Sequence, residues 1–283
     1  MTTLFKLSET PEQRLARRYG KATDKIDIRP GDWSETLDLL LAHKSVRRFL
    51  DRPIPAGTIE TLVAAAQSAP TSSNLQTWSV LAVEDPARKA RLSVLAGDQA
   101  FIREAPLFLV WLVDQNKLRA VGTAKQSEPQ ALDYLESFLL GAIDTSLAAQ
   151  NATVALESLG LGATYVGGIR NKPIDVAAEL GLPPHTFALM GMAVGWPDPD
   201  AGLEVKPRLE QELVLQREQY SWTDAKTAAV DAYNPRIRAF QRRQAMVEQD
   251  WTSQALKRTA GPQSMGGRHI LGDVLNRLGF TLR

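Results

Sequence analysis

The sequence predicts an α+β fold, on three observations. Four apolar stretches read as strands, at residues 78–83, 107–113, 163–166 and 186–196. Helical patterns separate them, but without the strict strand–helix alternation of a doubly wound sheet. One helical pattern runs from Pro129 almost to Gly160 and is apolar over much of its circumference between Phe138 and Leu159. A helix of that kind must be covered on all sides, and in a chain of this size it often meets a second subunit.

The elements follow in order. Thr10-Pro11-Glu12-Gln13 is a capping box with proline at the first helical position, and the short helix it starts ends near Gly20. Residues 21–33 are polar and turn-rich, so residues 1–33 form an extension. A second helix spans 34–42, with Leu37, Leu40 and Leu41 at helical spacing. Pro53 and Pro55 keep the following chain extended. A helix over 56–68 closes at Ala69-Pro70, a loop of small polar residues follows, and the first strand begins at Trp78. Residues 86–96 are helical, whereas 115–129 are polar and irregular. After the long helix and the third strand come Gly167-Gly168, a short helix over 173–180 and the fourth strand. Residues 224–260 are helical and basic, and 269–278 form a short amphipathic helix. This divides the chain into an extension (1–33), a core (34–223) and a C-terminal helical extension (224–283).

Composition excludes several classes of function. The 283 residues carry a formal charge of only +1, which gives no global field for nucleic acid or an anionic membrane. There is no cysteine, so disulfides, thiolate nucleophiles, iron–sulfur clusters and cysteine-ligated zinc are absent. The three histidines, His43, His185 and His269, lie too far apart in sequence to suggest a metal centre. Residues 1–6 lack the apolar core of a signal peptide. Residues 180–197 are uncharged, but Pro183, Pro184 and three glycines make them a poor membrane helix. The expectation is a cytoplasmic protein that engages neither membrane nor nucleic acid.

Familiar motifs are missing. Gly160-Leu161-Gly162 lacks the third glycine of a dinucleotide fingerprint and follows a helix rather than a strand. There is no Walker-type phosphate loop and no Gly-x-Ser-x-Gly elbow. Four donor-rich segments remain. In His43-Lys44-Ser45-Val46-Arg47-Arg48-Phe49 an extended chain points His43, Ser45 and Arg47 one way and Val46 the other. Such a row of imidazole, hydroxyl and guanidinium suits a phosphate-bearing, polyhydroxylated ligand. Pro70-Thr71-Ser72-Ser73-Asn74-Leu75-Gln76 offers hydroxyls and amides. Tyr165-Val166-Gly167-Gly168-Ile169-Arg170 lets backbone N–H groups approach a ligand closely. Lys206-Pro207-Arg208 holds two cations beside a stiff proline. Taken singly, each is more often plain turn chemistry or a solvated loop.

Their order carries more. The chain resembles the FMN-dependent nitroreductase family, specifically the oxygen-insensitive NADPH nitroreductases related to flavin reductases of luminous bacteria. The resemblance runs through the four segments and takes in Gly97-Asp98-Gln99, Gly141-Ala142-Ile143-Asp144-Thr145, Ala149-Gln150-Asn151-Ala152, residues 157–170 and Gly195-Trp196-Pro197. It covers most of residues 40–210; residues 1–33 have no counterpart and the match weakens after Tyr220.

The resemblance implies a nitroreductase-like fold. Its central mixed or antiparallel sheet would be flanked by helices around a long buried helix, and two chains would intertwine as a homodimer with two FMN sites. His43, Lys206 and Arg208 would hold the FMN phosphate, with Lys44 beside them and Ser45 on the ribityl chain. Arg47 would lie at the N1–O2 edge of the ring, where a fixed cation favours the reduced flavin. Pro70, Thr71, Ser72, Ser73 and Asn74 would come from the neighbouring subunit. Gln99 would reach the pyrimidine edge, and Tyr165, Val166, Gly167 and Gly168 would run beside the ring. No catalytic side chain is expected, because the flavin carries the chemistry. NADPH (or NADH) would reduce the flavin, and a nitroaromatic, quinone or free flavin would take two electrons in a ping-pong cycle. For the NADPH 2′-phosphate the candidates are Arg236, Arg238, Arg242 and Arg243, above all Arg242 and Arg243. Alternatives within the family are a flavin reductase, a dehalogenase or a flavin-cleaving enzyme; a flavin-binding protein without turnover is the alternative outside catalysis.

Overall fold

A computed structural model of the protein describes residues 9–283, so the expectation for residues 1–6 lies outside the described residues. In chain order the helices and strands are α1 (Pro11–Tyr19), α2 (Glu35–Ala42), α3 (Thr58–Gln67), β1 (Trp78–Val83), α4 (Pro86–Leu95), α5 (Ala100–Glu104), β2 (Leu107–Asp114) and α6 (Asn116–Ala124). They continue with α7 (Leu135–Ser158), β3 (Gly162–Val166), α8 (Pro173–Leu180), β4 (Thr186–Gly195), α9 (Asp224–Val230), α10 (Asn234–Arg243), α11 (Trp251–Arg258) and α12 (Leu271–Arg277). Contacts group residues 45–198 with 266–283 in one unit, and residues up to 44 with 199–265 in another.

The first unit holds the sheet, which is wholly antiparallel in the order β1-β2-β4-β3. Every residue of β2 is buried, which explains its unbroken apolar run. The two-residue period still sorts its side chains. Leu107, Leu109 and Trp111 join Leu62 and Ala66 of α3 and Ala148, Ala149, Ala152 and Leu156 of α7. Phe108, Val110 and Leu112 face the opposite layer, with Leu92 of α4, Ile102 of α5 and Val176 of α8.

Small residues let α7 lie close to the sheet. The Thr145 hydroxyl donates to the Leu112 carbonyl at 3.0 Å, and a Cβ at Gly141 would come within 2.7 Å of Val113. The opposite side of α7 differs from the expectation of all-round cover: Leu135, Leu139, Ile143 and Leu147 are exposed, Ile143 to 59%. The stretch expected to be irregular contains α6, whose one buried residue is Gly122. With no apolar stripe, its period could not be seen in the sequence. The five-residue α5 is likewise too short to show one.

In the second unit the capping box forms as expected. The Gln13 amide donates to Thr10 Oγ1 at 3.3 Å, the Thr10 amide to Gln13 Oε1 at 2.7 Å, and Gly20 ends α1 in the left-handed region at φ 62°. Asp38 of α2 takes Arg14 at 3.3 Å and the Trp33 indole N–H at 2.9 Å. Tyr233, Ile237 and Phe240 pack with Leu209 and Trp251 as a separate small core.

Candidate functional site

The sheet unit holds two of the four donor-rich segments whole and residues 45–49 of a third. Residues 45–50 run along the sheet edge, where the Val46 amide donates to the Ala163 carbonyl and the Leu50 amide to the Trp196 carbonyl, both at 2.9 Å. Val46 is buried against Gly162, where a Cβ would come within 2.4 Å of Val46 Cγ2. Ser45 and Arg47 are exposed, as the alternation predicts, but Lys44 and Arg48 are exposed as well, so only Val46 is set apart. Arg48 pairs with Asp198 at 2.7 Å, whereas Arg47 meets no carboxylate among the described residues.

Beyond β3 the chain turns sharply at Gly167-Gly168. A Cβ on Gly168 would come within 2.3 Å of the Ala96 carbonyl oxygen, so only glycine lets this turn sit against residues 96–99. Gln99 starts α5 there, and its carbonyl accepts from Ser93 Oγ at 2.8 Å. Tyr165 is 38% exposed, while its hydroxyl lies 2.9 Å from Thr153 Oγ1, and burial of that end raises the phenol above its ordinary pKa. Gly167 is flanked by two guanidinium groups, each 3.4 Å from the position its Cβ would take: those of Arg170 and Arg268. Burial, then the neighbouring charge of Arg268, lower the Arg170 pKa, though a guanidinium remains charged at neutral pH.

The Pro70–Gln76 loop is shaped by one carboxylate. Asp144, 2% exposed on α7, accepts from Thr71 Oγ1 at 2.6 Å, from the Ser72 and Thr77 amides at 3.2 Å each, and from Thr77 Oγ1 at 3.0 Å. The loop needs this anchor because Ser73, Asn74 and Gln76 all hold positive φ, at 48°, 55° and 52°. Thr71 thus serves the loop itself, and Ser72, Ser73 and Asn74 are left exposed.

The helical unit holds His43, Lys44, Lys206 and Arg208. His43 ends α2, and Lys44 Nζ donates to the Leu203 carbonyl at 3.2 Å. Pro207 is buried between its two cationic neighbours, and its carbonyl accepts from Tyr233 Oη at 2.7 Å. Lys206 Nζ lies 5.6 Å from the centre of the Phe240 ring. Arg208 is exposed and bonds its own turn, at Lys206 O (3.2 Å) and Pro207 O (3.4 Å), with no carboxylate among the described residues. A cavity of about 1360 Å³ in this unit is lined by both cations together with Tyr233, Phe240 and Trp251. The α10 arginines behave differently. Arg236 pairs with Glu210, Arg238 with Asp250, Arg242 with Glu248 at 2.8 Å and Arg243 with Glu204 at 2.8 Å. Among the described residues no cluster of His, Asp and Glu could hold a metal ion.

Comparison with known proteins decides the family. The nitroreductase family model matches residues 40–196, and the model of the family's C-terminal domain matches residues 206–283. The chain belongs to the nitroreductase family. It is 37% identical over 252 residues to an FMN reductase (NADPH) of Bacillus subtilis, covering 88% of this chain and 99% of that one. It is 40% identical over 196 residues to an oxygen-insensitive NADPH nitroreductase of Salmonella typhimurium, covering 69% of this chain and 79% of the other. Among solved structures, the NfrA1 nitroreductase of B. subtilis superposes with a TM-score of 0.81 at 34% identity, over 88% of this chain and all of that one.

Within this nitroreductase frame three residues escaped sequence reasoning. Asp144 lies in the Gly141–Thr145 stretch, but its only local signal is a carboxylate on a largely apolar helix. Tyr233 and Arg268 gave no signal at all, because each reaches its partner from a distant part of the chain.

Proposed function

We infer that this protein is an FMN-dependent NAD(P)H oxidoreductase that reduces nitroaromatic, quinone or flavin acceptors by two electrons. The observation that carries the reading is the match to an FMN reductase over 99% of its length, with the whole donor set present. Bound FMN would supply a ring that takes hydride from a nicotinamide and passes the electrons on.

The chain's own residues bind and orient. His43, Lys206 and Arg208, with Lys44, would hold the phosphate, to which Arg208 would bring a guanidinium that no carboxylate among the described residues neutralises. Ser45 would face the ribityl chain. Arg47 would present a fixed positive charge to the ring, undiminished because no acid among the described residues offsets it. The turn at Tyr165, Val166, Gly167 and Gly168 offers backbone N–H groups where negative charge develops, and Gln99 adds an amide. Arg170 and Arg268 make the surroundings of Gly167 attractive to an anionic co-substrate. For NADPH, Arg242 and Arg243 would exchange Glu248 and Glu204 for the 2′-phosphate. The exposed row Leu139, Ile143 and Leu147 fits a homodimer, because a single chain leaves this apolar stripe in water. In a dimer, residues 70–74 would serve the neighbouring subunit's flavin. No described helix is long and apolar enough to cross a membrane. The reading places the enzyme in the cytoplasm.

The test is direct. Purified protein supplied with FMN should turn yellow, bleach anaerobically with NADPH, and regain colour with a nitrofuran, a quinone or free FMN. Protein that stays colourless rejects the reading, and bound flavin that NADPH cannot bleach leaves a binding protein. Faster turnover of free FMN than of a nitrofuran would identify a flavin reductase, as the name of the B. subtilis relative suggests.

A further inference from the structure

The N-terminal extension stands outside the family pattern, yet its first helix reaches the phosphate-binding segments. Arg18, near the end of α1, is only 9% exposed. Its Nη2 donates to the carbonyls of Leu41 (2.8 Å) and His43 (3.1 Å), and its Nη1 to the carbonyl of Lys206 (3.2 Å). The first two carbonyls belong to the C-terminal end of α2, where backbone acceptors lack helical partners and a cation is favoured. The Arg18 carbonyl in turn accepts the Arg208 amide at 2.9 Å. One residue therefore binds the backbones of His43, Lys206 and Arg208 at once. The helix end around it is built for this approach. Gly20 has φ +62°, and a Cβ there would stand 3.1 Å from Pro207 Cβ.

We propose that Arg18 is a positioning residue for the flavin phosphate: it fixes the backbones that aim His43, Lys206 and Arg208, and so makes the extension part of the cofactor site. This rests on the FMN reading above. A guanidinium suits the task, because its rigid fork can bond several carbonyls in fixed directions, which an ammonium cannot. Its charge also lines the same cavity as Lys206 and Arg208, so losing it both loosens and weakens that cation set.

The experiment compares two ligands that differ only in the phosphate. Flavin is stripped from the full-length protein, and the apoprotein is titrated with FMN and with riboflavin, followed by flavin fluorescence. Arg18→Ala should weaken FMN roughly tenfold or more, the loss expected of a charge-assisted contact. Riboflavin affinity should change no more than about twofold, the effect of a group that touches no part of that ligand. Arg18→Lys, which keeps a cation and guards against a folding failure, should fall between wild type and Arg18→Ala. Arg17→Ala, on the exposed side of the same helix, should match wild type. Equal weakening of both ligands would show a merely structural residue and overturn the proposal, as would unchanged FMN affinity in both Arg18 variants. Wild-type protein that binds riboflavin as tightly as FMN would instead reject the phosphate site itself, whatever Arg18 does.

Discussion

The most basic helix and the most useful cations are different parts of this molecule. On α10 all four arginines meet carboxylates: Glu210, Asp250, Glu248 and Glu204. Arg208 and Arg47 meet none among the described residues. Density of charge in a sequence is therefore a poor guide to charge available for a ligand, since a neutralised arginine must first give up its partner. The same contrast holds for acids. The α10 partners answer cations, whereas Asp144 is buried and answered by hydroxyls and amides alone.

The largest effect expected from this contrast is at Arg208. Arg208→Ala should cost FMN binding about 1.5–3 kcal/mol, which is roughly ten- to a hundredfold in affinity. Arg242→Ala, which removes an exposed guanidinium already held by Glu248, should leave FMN affinity unchanged. Flavin retained after dialysis reads both, and equal losses in the two variants would erase the distinction between free and neutralised cations.

Asp144 is next. Asp144→Asn keeps the shape but replaces one acceptor oxygen by an amide donor, facing either the Ser72 amide at Oδ1 or the donors of Thr71 and Thr77 at Oδ2, and should destabilise the fold by about 1–3 kcal/mol. For a chain of this size that lowers Tm by roughly 2–4 °C for each kcal/mol. Protease nicking should appear first within residues 70–77, where three residues depend on the anchor to hold positive φ. An unchanged melting curve would mean that the loop holds its shape without the carboxylate.

Arg47 tests the same contrast on electron transfer rather than on affinity. With the fixed cation removed, Arg47→Ala should lower the flavin reduction potential more than it lowers FMN affinity. A loss of affinity with an unchanged potential would move Arg47 from the ring to the phosphate.

What could be read from the sequence follows from the range of each interaction. The capping box at Thr10 and Gln13, the four strands, the long helix and the alternation about Val46 all depend on neighbours a few residues apart. The capping box and the four strands came out where the pattern put them and Val46 is buried, whereas the long helix begins at Leu135 rather than Pro129, after a separate turn at Gln130–Asp133. The donor set was legible only through its order along the chain. The neutralisation of Arg236 and Arg243 was not legible, because Glu210 and Glu204 lie 26 and 39 residues away in sequence. Nor was the role of Arg18, which bonds backbone carbonyls that every residue possesses. Which face of α7 this chain leaves open was not legible either, because periodicity reports that a side chain is apolar, and not whether the same chain covers it.

The smallest effect is expected where the contrast itself predicts weakness, at Arg242 and Arg243. Both pairs are exposed, and exposed pairs contribute little and are screened by salt. A 2′-phosphate carries more charge than a glutamate and can displace one, but the gain is the difference between two partners rather than a whole new contact. Arg243→Ala should therefore raise KM for NADPH by no more than about fivefold, leave KM for NADH unchanged, and reduce the salt sensitivity of the NADPH reaction. Steady-state kinetics with both nucleotides at low and high salt measure all three. A loss far beyond fivefold would show that Glu204 does not compete with the phosphate, and that α10 is as available to an anion as Arg208. No difference between NADPH and NADH would confine the useful cations of this protein to those without carboxylate partners.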